Sequence, residues 1–101
     1  MSIVAQVSKE SDTVTIHISG RFDFNLHREF RKAAEQGKGP DTCFVIDLGG
    51  TEYVDSSALG MLLLLRERAG GENGRISIIN SSPSVKKILD TANFQKLFKI
   101  A

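Results

Sequence analysis

The chain has 101 residues, of which 41% are hydrophobic and 25% are charged, as is ordinary for one globular domain. We therefore expect a single domain over residues 1–101. A formal net charge of +1 gives no bulk attraction to nucleic acid or to a membrane surface, so neither is an expected partner. The single cysteine, Cys43, cannot form an internal disulfide. Residues 1–10 lack a basic leader with an apolar core, and no apolar run reaches membrane-spanning length, so we expect a cytoplasmic protein.

Alternating apolar residues predict two strands at the start of the chain, over residues 3–7 and 14–18. The polar residues 10–12 between them predict a hairpin turn and an antiparallel pair. A helix should follow, because apolar residues recur at helical spacing from 26 to 34. Asp23 or Asn25 can cap this helix, and Gly37 followed by Gly39–Pro40 is expected to stop it.

The apolar run Cys43–Ile46, with Leu48, predicts a central strand covered on both faces, followed by a polar loop. An apolar helix begins after Asp55, a last strand covers residues 76–79, and Ser82–Pro83 start a final helix. Residues 94–100 are expected to form one helical turn that packs back. The order β-β-α-β-α-β-α predicts an α/β sandwich with a mixed sheet.

The junction Asp55–Ser56–Ser57 places two hydroxyls beside a carboxylate at a helix N-terminus. In one interpretation, Asp55 or Ser56 caps the helix by accepting a hydrogen bond from a backbone N–H of the first turn. In the other, a serine held at this exposed corner is a phosphoacceptor. These three residues by themselves leave both interpretations open.

The hexapeptide Asp55 to Gly60, D-S-S-A-L-G, resembles the signature D-S-[ST]-[GA]-L-G of bacterial anti-sigma factor antagonists, which are single-domain STAS proteins. The segment Gly20–Asp23 is similar to the G-x-[hydrophobic]-D of that family, and Ser82–Val85 opens the last long helix as in its members. Ala58 stands where many members have glycine, which lowers local backbone freedom but leaves the serine in place. The resemblance spans nearly the whole chain and implies a STAS fold with its helices packed mainly on one face of the sheet.

The resemblance also implies a function by partner switching, with Ser56 as the phosphorylated residue and Ser57 as its rival. In such a switch the unphosphorylated protein binds an anti-sigma factor, which is often itself a serine kinase. Phosphorylation weakens that binding, and a serine phosphatase restores it. A protein of this kind is not an enzyme, needs no cofactor or metal, and is expected to be a monomer when free.

A helical wheel separates two faces of the helix that follows Asp55. Four residues share the face expected to meet the core: Ala58, Leu62, Leu65 and Ala69. Leu64 points nearly the opposite way, beside Ser57 and Gly60. A single exposed leucine needs no explanation. Beside a phosphoacceptor, however, Leu64 can anchor a protein interface, with Gly60 allowing close approach. The expected partner-binding residues are Asp23, Asn25, Asp55, Ser57, Gly60 and Leu64, with Arg28 as a weaker extension.

Three other functions compete with this interpretation. A hydrolase with Ser56 as nucleophile lacks a recognisable motif, and His17 and His27 lie on different elements without metal-ligand spacing to Cys43. A receiver domain phosphorylated at Asp47 needs a longer chain and an acidic pair after the first strand, so Asp47 is interpreted as a polar residue at a strand end. A STAS subunit that never switches, within a lipid-transport or stress-sensing complex, is the remaining alternative.

Overall fold

The computed structural model describes residues 2–37 and 41–101, which form a five-stranded mixed sheet and three α-helices. The strands are β1 (Ile3–Ser8), β2 (Thr13–Phe22), β3 (Cys43–Val54), β4 (Arg75–Ile79) and β5 (Lys99–Ile100). The helices are α1 (His27–Ala34), α2 (Ser56–Arg68) and α3 (Pro83–Thr91). Single 3-10 turns lie at Phe24–Leu26, Gly71–Asn73 and Phe94–Lys96. α1 ends three residues before Gly37, the first residue of the predicted stop, and Gly39–Pro40 lies outside the described residues.

The strands follow one another across the sheet in chain order. β1 and β2 pair antiparallel through the predicted hairpin, and every later pair is parallel. Each parallel pair is joined by one helix, and such crossovers are almost always right-handed. Because the order runs in a single direction, right-handed crossovers place all three helices on the same face. The predicted mixed sheet with helices on one face is confirmed.

The core lies between the sheet and the helices. Its sheet side is formed by alternate residues of β2, β3 and β4, among them Val14, Ile16, Ile18, Phe44, Ile46, Leu48, Ile76 and Ile78. Its helix side includes Phe30, Leu62, Leu65, Val85 and Leu89. The opposite face of β3 is only partly covered, at Val45 and Asp47. The prediction of a strand covered on both faces was therefore wrong, because the crossovers leave the second face without helices.

The predicted polar loop after Leu48 was also wrong, since β3 continues to Val54. The pairing of β2 with β3 shifts register twice, and each shift places an extra residue in β3. Buried positions consequently fall three residues apart, at Leu48, Thr51 and Val54. The Thr51 hydroxyl donates a hydrogen bond to the Ile18 carbonyl at 2.8 Å, so this buried polar group is satisfied. The bulges break the period of two on which strand prediction depends.

The chain end contains a strand that the sequence did not predict. The helical turn Phe94–Lys96 was expected, and Phe94 and Phe98 are buried with their ring centroids 5.1 Å apart. Lys99–Ile100 then adds a parallel edge strand beside β4. Two residues are too few to produce a recognisable alternation.

The wheel of α2 generates a paired stability prediction. Leu62 is fully buried whereas Leu64 is 72% exposed, as predicted. Leu62→Ala should lower the free energy of unfolding by about 2–5 kcal/mol, because it removes core contacts and leaves a cavity. Leu64→Ala should change it by no more than about 0.5 kcal/mol. Urea denaturation followed by circular dichroism measures both, and equal losses in the two variants would contradict the assigned faces.

Candidate functional site

The parallel pairing of β2 with β3 brings two loops together. Phe22 pairs with Val54 at the carboxyl ends of the strands, and the Asp55 N–H donates a hydrogen bond to the Phe22 carbonyl at 3.2 Å. The loop that carries Asp23 therefore adjoins the start of α2. Asp23 and Asp55, both among the expected partner-binding residues, thus lie on neighbouring loops. We call this region, formed by residues 21–25 and 53–57, the switch corner.

Asp55 is the N-cap of α2. Its backbone is extended (φ −97°, ψ −179°), and its Oδ1 accepts a hydrogen bond from the Ala58 N–H at 2.8 Å. The capping interpretation is thus correct for Asp55, and Ser56 does not act as the cap. Ser56 is the first helical residue and is exposed, whereas Ser57 is half-buried. Within the described part of the chain, neither hydroxyl is held by a hydrogen bond to the protein.

The electrostatics of the switch corner are mixed. The start of α2 favours a negative charge, because the helix dipole and the free N–H groups of the first turn point there. The carboxylates of Asp23 and Asp55 oppose a further negative charge. Arg21 adds a positive charge to this corner. Its Nε is 3.9 Å from Asp23 Oδ2, and its Cζ lies 4.8 Å from the centroid of the Tyr53 ring. Arg21 and Tyr53 were not singled out in the sequence.

The segment before α1 differs from the prediction. Asp23 Oδ1 accepts a hydrogen bond from the Asn25 N–H at 3.0 Å and so caps the 3-10 turn Phe24–Leu26, not the α-helix. Asn25 caps neither element, and α1 begins after Leu26 without a side-chain cap. The 3-10 turn uses Asp23 as its cap and contains Asn25, so neither polar residue is at the N-cap position of α1, which is Leu26.

Phe24 is a surface residue that sequence reasoning missed. Its side chain is 61% exposed and stacks on His27, with ring centroids 4.5 Å apart and planes 11° from parallel. Exposed aromatic residues are enriched at protein interfaces. The sequence contains one indication of this exposure, an aromatic residue between two polar ones. The same pattern is equally typical of a buried aromatic residue next to a loop.

Gly60 and Leu64 extend the surface along α2. Glycine weakens a helix interior by about 1 kcal/mol relative to alanine. A Cβ placed on Gly60 would meet no atom within 4 Å, so packing inside the domain does not require glycine there. Leu64 is 72% exposed. Both residues therefore belong to the outer face, where sequence analysis placed them.

Asp47 lies within β3 and not at a strand end. Its Oδ1 accepts hydrogen bonds from the Gly49 N–H at 2.9 Å and from the Asn80 amide at 3.2 Å, and its Oδ2 accepts one from His17 Nδ1 at 2.8 Å. Burial raises the pKa of Asp47, but the hydrogen bonds from Gly49, Asn80 and His17 outweigh it and hold the pKa below its ordinary value. Both oxygens are engaged, so this carboxylate ties β2, β3 and the end of β4 together.

Two negative findings concern the described residues alone. No group of three or more His, Cys, Asp or Glu side chains is placed to hold a metal ion. None of the described helices combines the length and the apolar character needed to cross a membrane.

A mixed sheet with every helix on one face, and a capped serine corner at the start of its second helix, defines a small α/β domain of the STAS type. The family model described as "Mlab, STAS domain" matches residues 5–99. The chain therefore belongs to the STAS domain family.

The chain is similar to proteins described as a STAS-domain containing protein and as anti-sigma factor antagonists. The chain is 52% identical to a STAS-domain containing protein of Pseudomonas aeruginosa, over the full length of both. It is 28% identical to the anti-sigma F factor antagonist of Lysinibacillus sphaericus, over 76% of this chain and 68% of that protein. Among solved structures, the anti-sigma factor antagonist SpoIIAA in its unphosphorylated form superposes with a TM-score of 0.79 at 22% identity, covering 98% of this chain and 87% of that one. SpoIIAA of Bacillus in its phosphorylated form gives 0.68 at 20% identity, covering 98% and 90%.

The cap generates a testable prediction. Asp55→Ala should lower the free energy of unfolding by about 0.5–2 kcal/mol, because the Ala58 N–H loses its acceptor. Asp55→Asn should cost much less, since asparagine is an equally good cap. Chemical denaturation of the three proteins measures the difference. Equal losses in the alanine and asparagine variants would show that the negative charge, and not the cap, matters.

The Asp47 network predicts a pH dependence. Because folding lowers the pKa of Asp47 from 3.8, its carboxylate stabilises the fold above that pH, and the contribution is lost as the pH falls below it. Asp47→Asn should therefore be less stable than the parent near neutrality, by about 1–3 kcal/mol for the lost charged hydrogen bonds. The gap between the two proteins should shrink in acid. Thermal unfolding between pH 3 and 7 tests this, and a gap that widens in acid would reverse the assignment.

Proposed function

We propose that this chain is an anti-sigma factor antagonist that acts by phosphorylation-controlled partner switching. In its unphosphorylated form it binds an anti-sigma factor, and phosphorylation of Ser56 weakens that binding. The observation that carries the proposal is the geometry of Ser56. It is exposed at the start of α2 and has no hydrogen bond to any described residue, because Asp55 already caps the helix.

The surroundings of Ser56 favour a phosphate that acts on a partner. A helix N-terminus tolerates a phosphate of roughly two negative charges, so the modification need not unfold the domain. Asp23 and Asp55 already make the switch corner locally acidic. The added charge and bulk would face outward on a surface that also carries the exposed Phe24 and, about two turns further along α2, the exposed Leu64, and would oppose docking there. The description of SpoIIAA in both a phosphorylated and an unphosphorylated form supports the same behaviour here.

The proposal treats the chain as a binding module and not as an enzyme. A hydrolase would need a base hydrogen-bonded to Ser56. His17 lies five residues before the end of β2, where its ring contacts Asp47 and Gln6, and among the described residues no hydrogen bond joins Ser56 to His17 or His27. Phosphorylation at Asp47 is disfavoured for a similar reason, because three donors already occupy its oxygens. The expected partners are therefore an anti-sigma factor, a serine kinase that can be the same protein, and a serine phosphatase.

A second candidate is a STAS subunit that never switches and holds a fixed place in a larger complex. The description "Mlab, STAS domain" of the matching family model supports this second candidate. It differs from the first proposal in one measurable respect, since it requires no phosphate on Ser56.

Phosphopeptide mapping of the protein from its native cells tests the acceptor. We expect one phosphate that maps to Ser56, is lost in Ser56→Ala, and is retained in Ser57→Ala. The neighbouring serine is a matched control, because it has the same chemistry one residue further along α2. A phosphate that persists in Ser56→Ala but disappears in Ser57→Ala would move the acceptor. No phosphate in growth, starvation or stress would make the non-switching subunit the leading candidate.

Binding to the candidate anti-sigma factors of the same cells tests the switch. Ser56→Asp should bind the cognate factor about tenfold more weakly than the parent, a difference of ~1.4 kcal/mol, because it brings a charge to the interface. Asparagine has nearly the same shape as aspartate but no charge, so the affinity of Ser56→Asn should be closer to that of the parent. Isothermal titration calorimetry measures the three affinities. Equal affinities would remove the electrostatic basis of the switch.

A further inference from the structure

An apolar groove of 230 Å³ runs between α1 and α2. Each helix contributes four lining residues at the spacing i, i+3, i+4 and i+7. The lining residues are His27, Phe30, Arg31 and Ala34 of α1, and Met61, Leu64, Leu65 and Arg68 of α2. This spacing marks one continuous face of each helix over about two turns, or ~10 Å. Two such faces side by side are the kind of surface that accepts a third helix.

The rim of the groove is basic although the chain as a whole is almost neutral. Arg31, Arg68 and His27 line it, and no carboxylate is among its lining residues. Across residues 2–37 and 41–101, neither of the two guanidinium groups is paired with a carboxylate. The floor is apolar, at Phe30 and Leu65. An occupant with complementary chemistry has an apolar stripe bordered by acidic residues.

The volume of the groove indicates which kind of occupant fits it. Sites for drug-sized ligands and cofactors have volumes of about 300–1,000 Å³, which exceeds the 230 Å³ available here. A single large apolar side chain, supplied by a helix lying along the trough, fits better. Leu64 is 72% exposed on the groove wall and would be covered by such a helix.

The groove is continuous with the switch corner at one end. Ser57, Met61, Leu64 and Arg68 share one stripe of α2, and that stripe begins beside Ser56. On the other wall, His27 stacks on Phe24, which belongs to the switch corner. A helix in the groove would therefore extend towards the acceptor serine. If that helix is acidic, a phosphate on Ser56 repels it, so one surface accounts for both docking and release.

We propose that the α1–α2 groove binds an acidic amphipathic helix of the partner protein, with an apolar anchor against Leu64 and carboxylates on Arg31 and Arg68. The identity of that partner as an anti-sigma factor rests on the function proposed above. The groove and the chemistry of its occupant do not rest on it, since they follow from the lining residues.

The test uses two synthetic peptides of about 20 residues, long enough to form a helix. Both carry leucines at i, i+3, i+4 and i+7; the flanking residues are glutamate in one and lysine in the other. Each is titrated into the unphosphorylated, isotopically labelled protein, and amide shifts are followed by NMR. We expect saturable shifts confined to residues 27–34 and 61–68 with the glutamate peptide, and binding about tenfold weaker or absent with the lysine peptide.

Variants sharpen the test. The double variant Arg31→Glu, Arg68→Glu should reverse the preference and favour the lysine peptide. Leu64→Ser should weaken binding of the glutamate peptide about tenfold. The adjacent Leu63 is a matched control: it is 39% exposed but does not line the groove, so Leu63→Ser should leave binding unchanged.

Several results would overturn the proposal. These are the absence of saturable binding, equal binding of the two peptides, and shifts that map to the α2–α3 side instead. Groove shifts that depend on protein concentration without peptide would identify a second copy of the chain as the occupant. The titration involves neither phosphate nor anti-sigma factor, so its failure leaves the Ser56 experiments standing, and their failure leaves the groove standing.

Discussion

The parallel pairing of β2 with β3 is the constraint on which the rest of the structure depends. Neighbouring parallel strands end at the same edge of a sheet, so the segments that leave them begin side by side. Here the Asp55 N–H donates to the Phe22 carbonyl and fastens the two exits together. Right-handed crossovers then carry α1 and α2 back over the same face. The switch corner and the groove between the two helices are both consequences of this one pairing.

The bulges of β3 adjust that pairing towards the carboxyl ends of the two strands. Two extra residues in β3 change the spacing of buried positions, so that Val54 reaches the core while Tyr53 remains at the surface. Asp47 lies just before the first shift, and its hydrogen bonds to His17 and Asn80 connect three strands there. The irregular part of the strand is thus held by specific polar contacts where the regular ladder is interrupted. These hydrogen bonds help to fix the position along the sheet at which β3 ends and α2 begins.

The two faces of α2 have different roles: one packs against the sheet and the other is exposed. Leu62 and Leu65 are buried and anchor α2 on the sheet, which holds Ser56 in a fixed position. The outer face contributes nothing comparable to stability, as the exposure of Leu64 and the open space around Gly60 indicate. A side chain or a phosphate on that face can therefore change binding without a large cost in folding. The two faces of α2 therefore separate the residues that stabilise the fold from those that are open to binding.

The sequence by itself determined the elements that follow a local rule. Helical periodicity assigned the buried and exposed faces of α2, including Leu64, and the turn chemistry of Ser82–Pro83 located the start of α3. The Asp55 cap was among the sequence interpretations for the same reason, since capping involves residues only three apart. Tertiary structure alone decided the features that depend on distant partners. The bulges of β3, the two-residue β5 and the open sheet face arise from strand register and crossover hand, which leave no local pattern. Arg31 and Arg68 illustrate the limit: each looks like an ordinary surface cation in the sequence, and only the packing of α1 beside α2 places both on one groove.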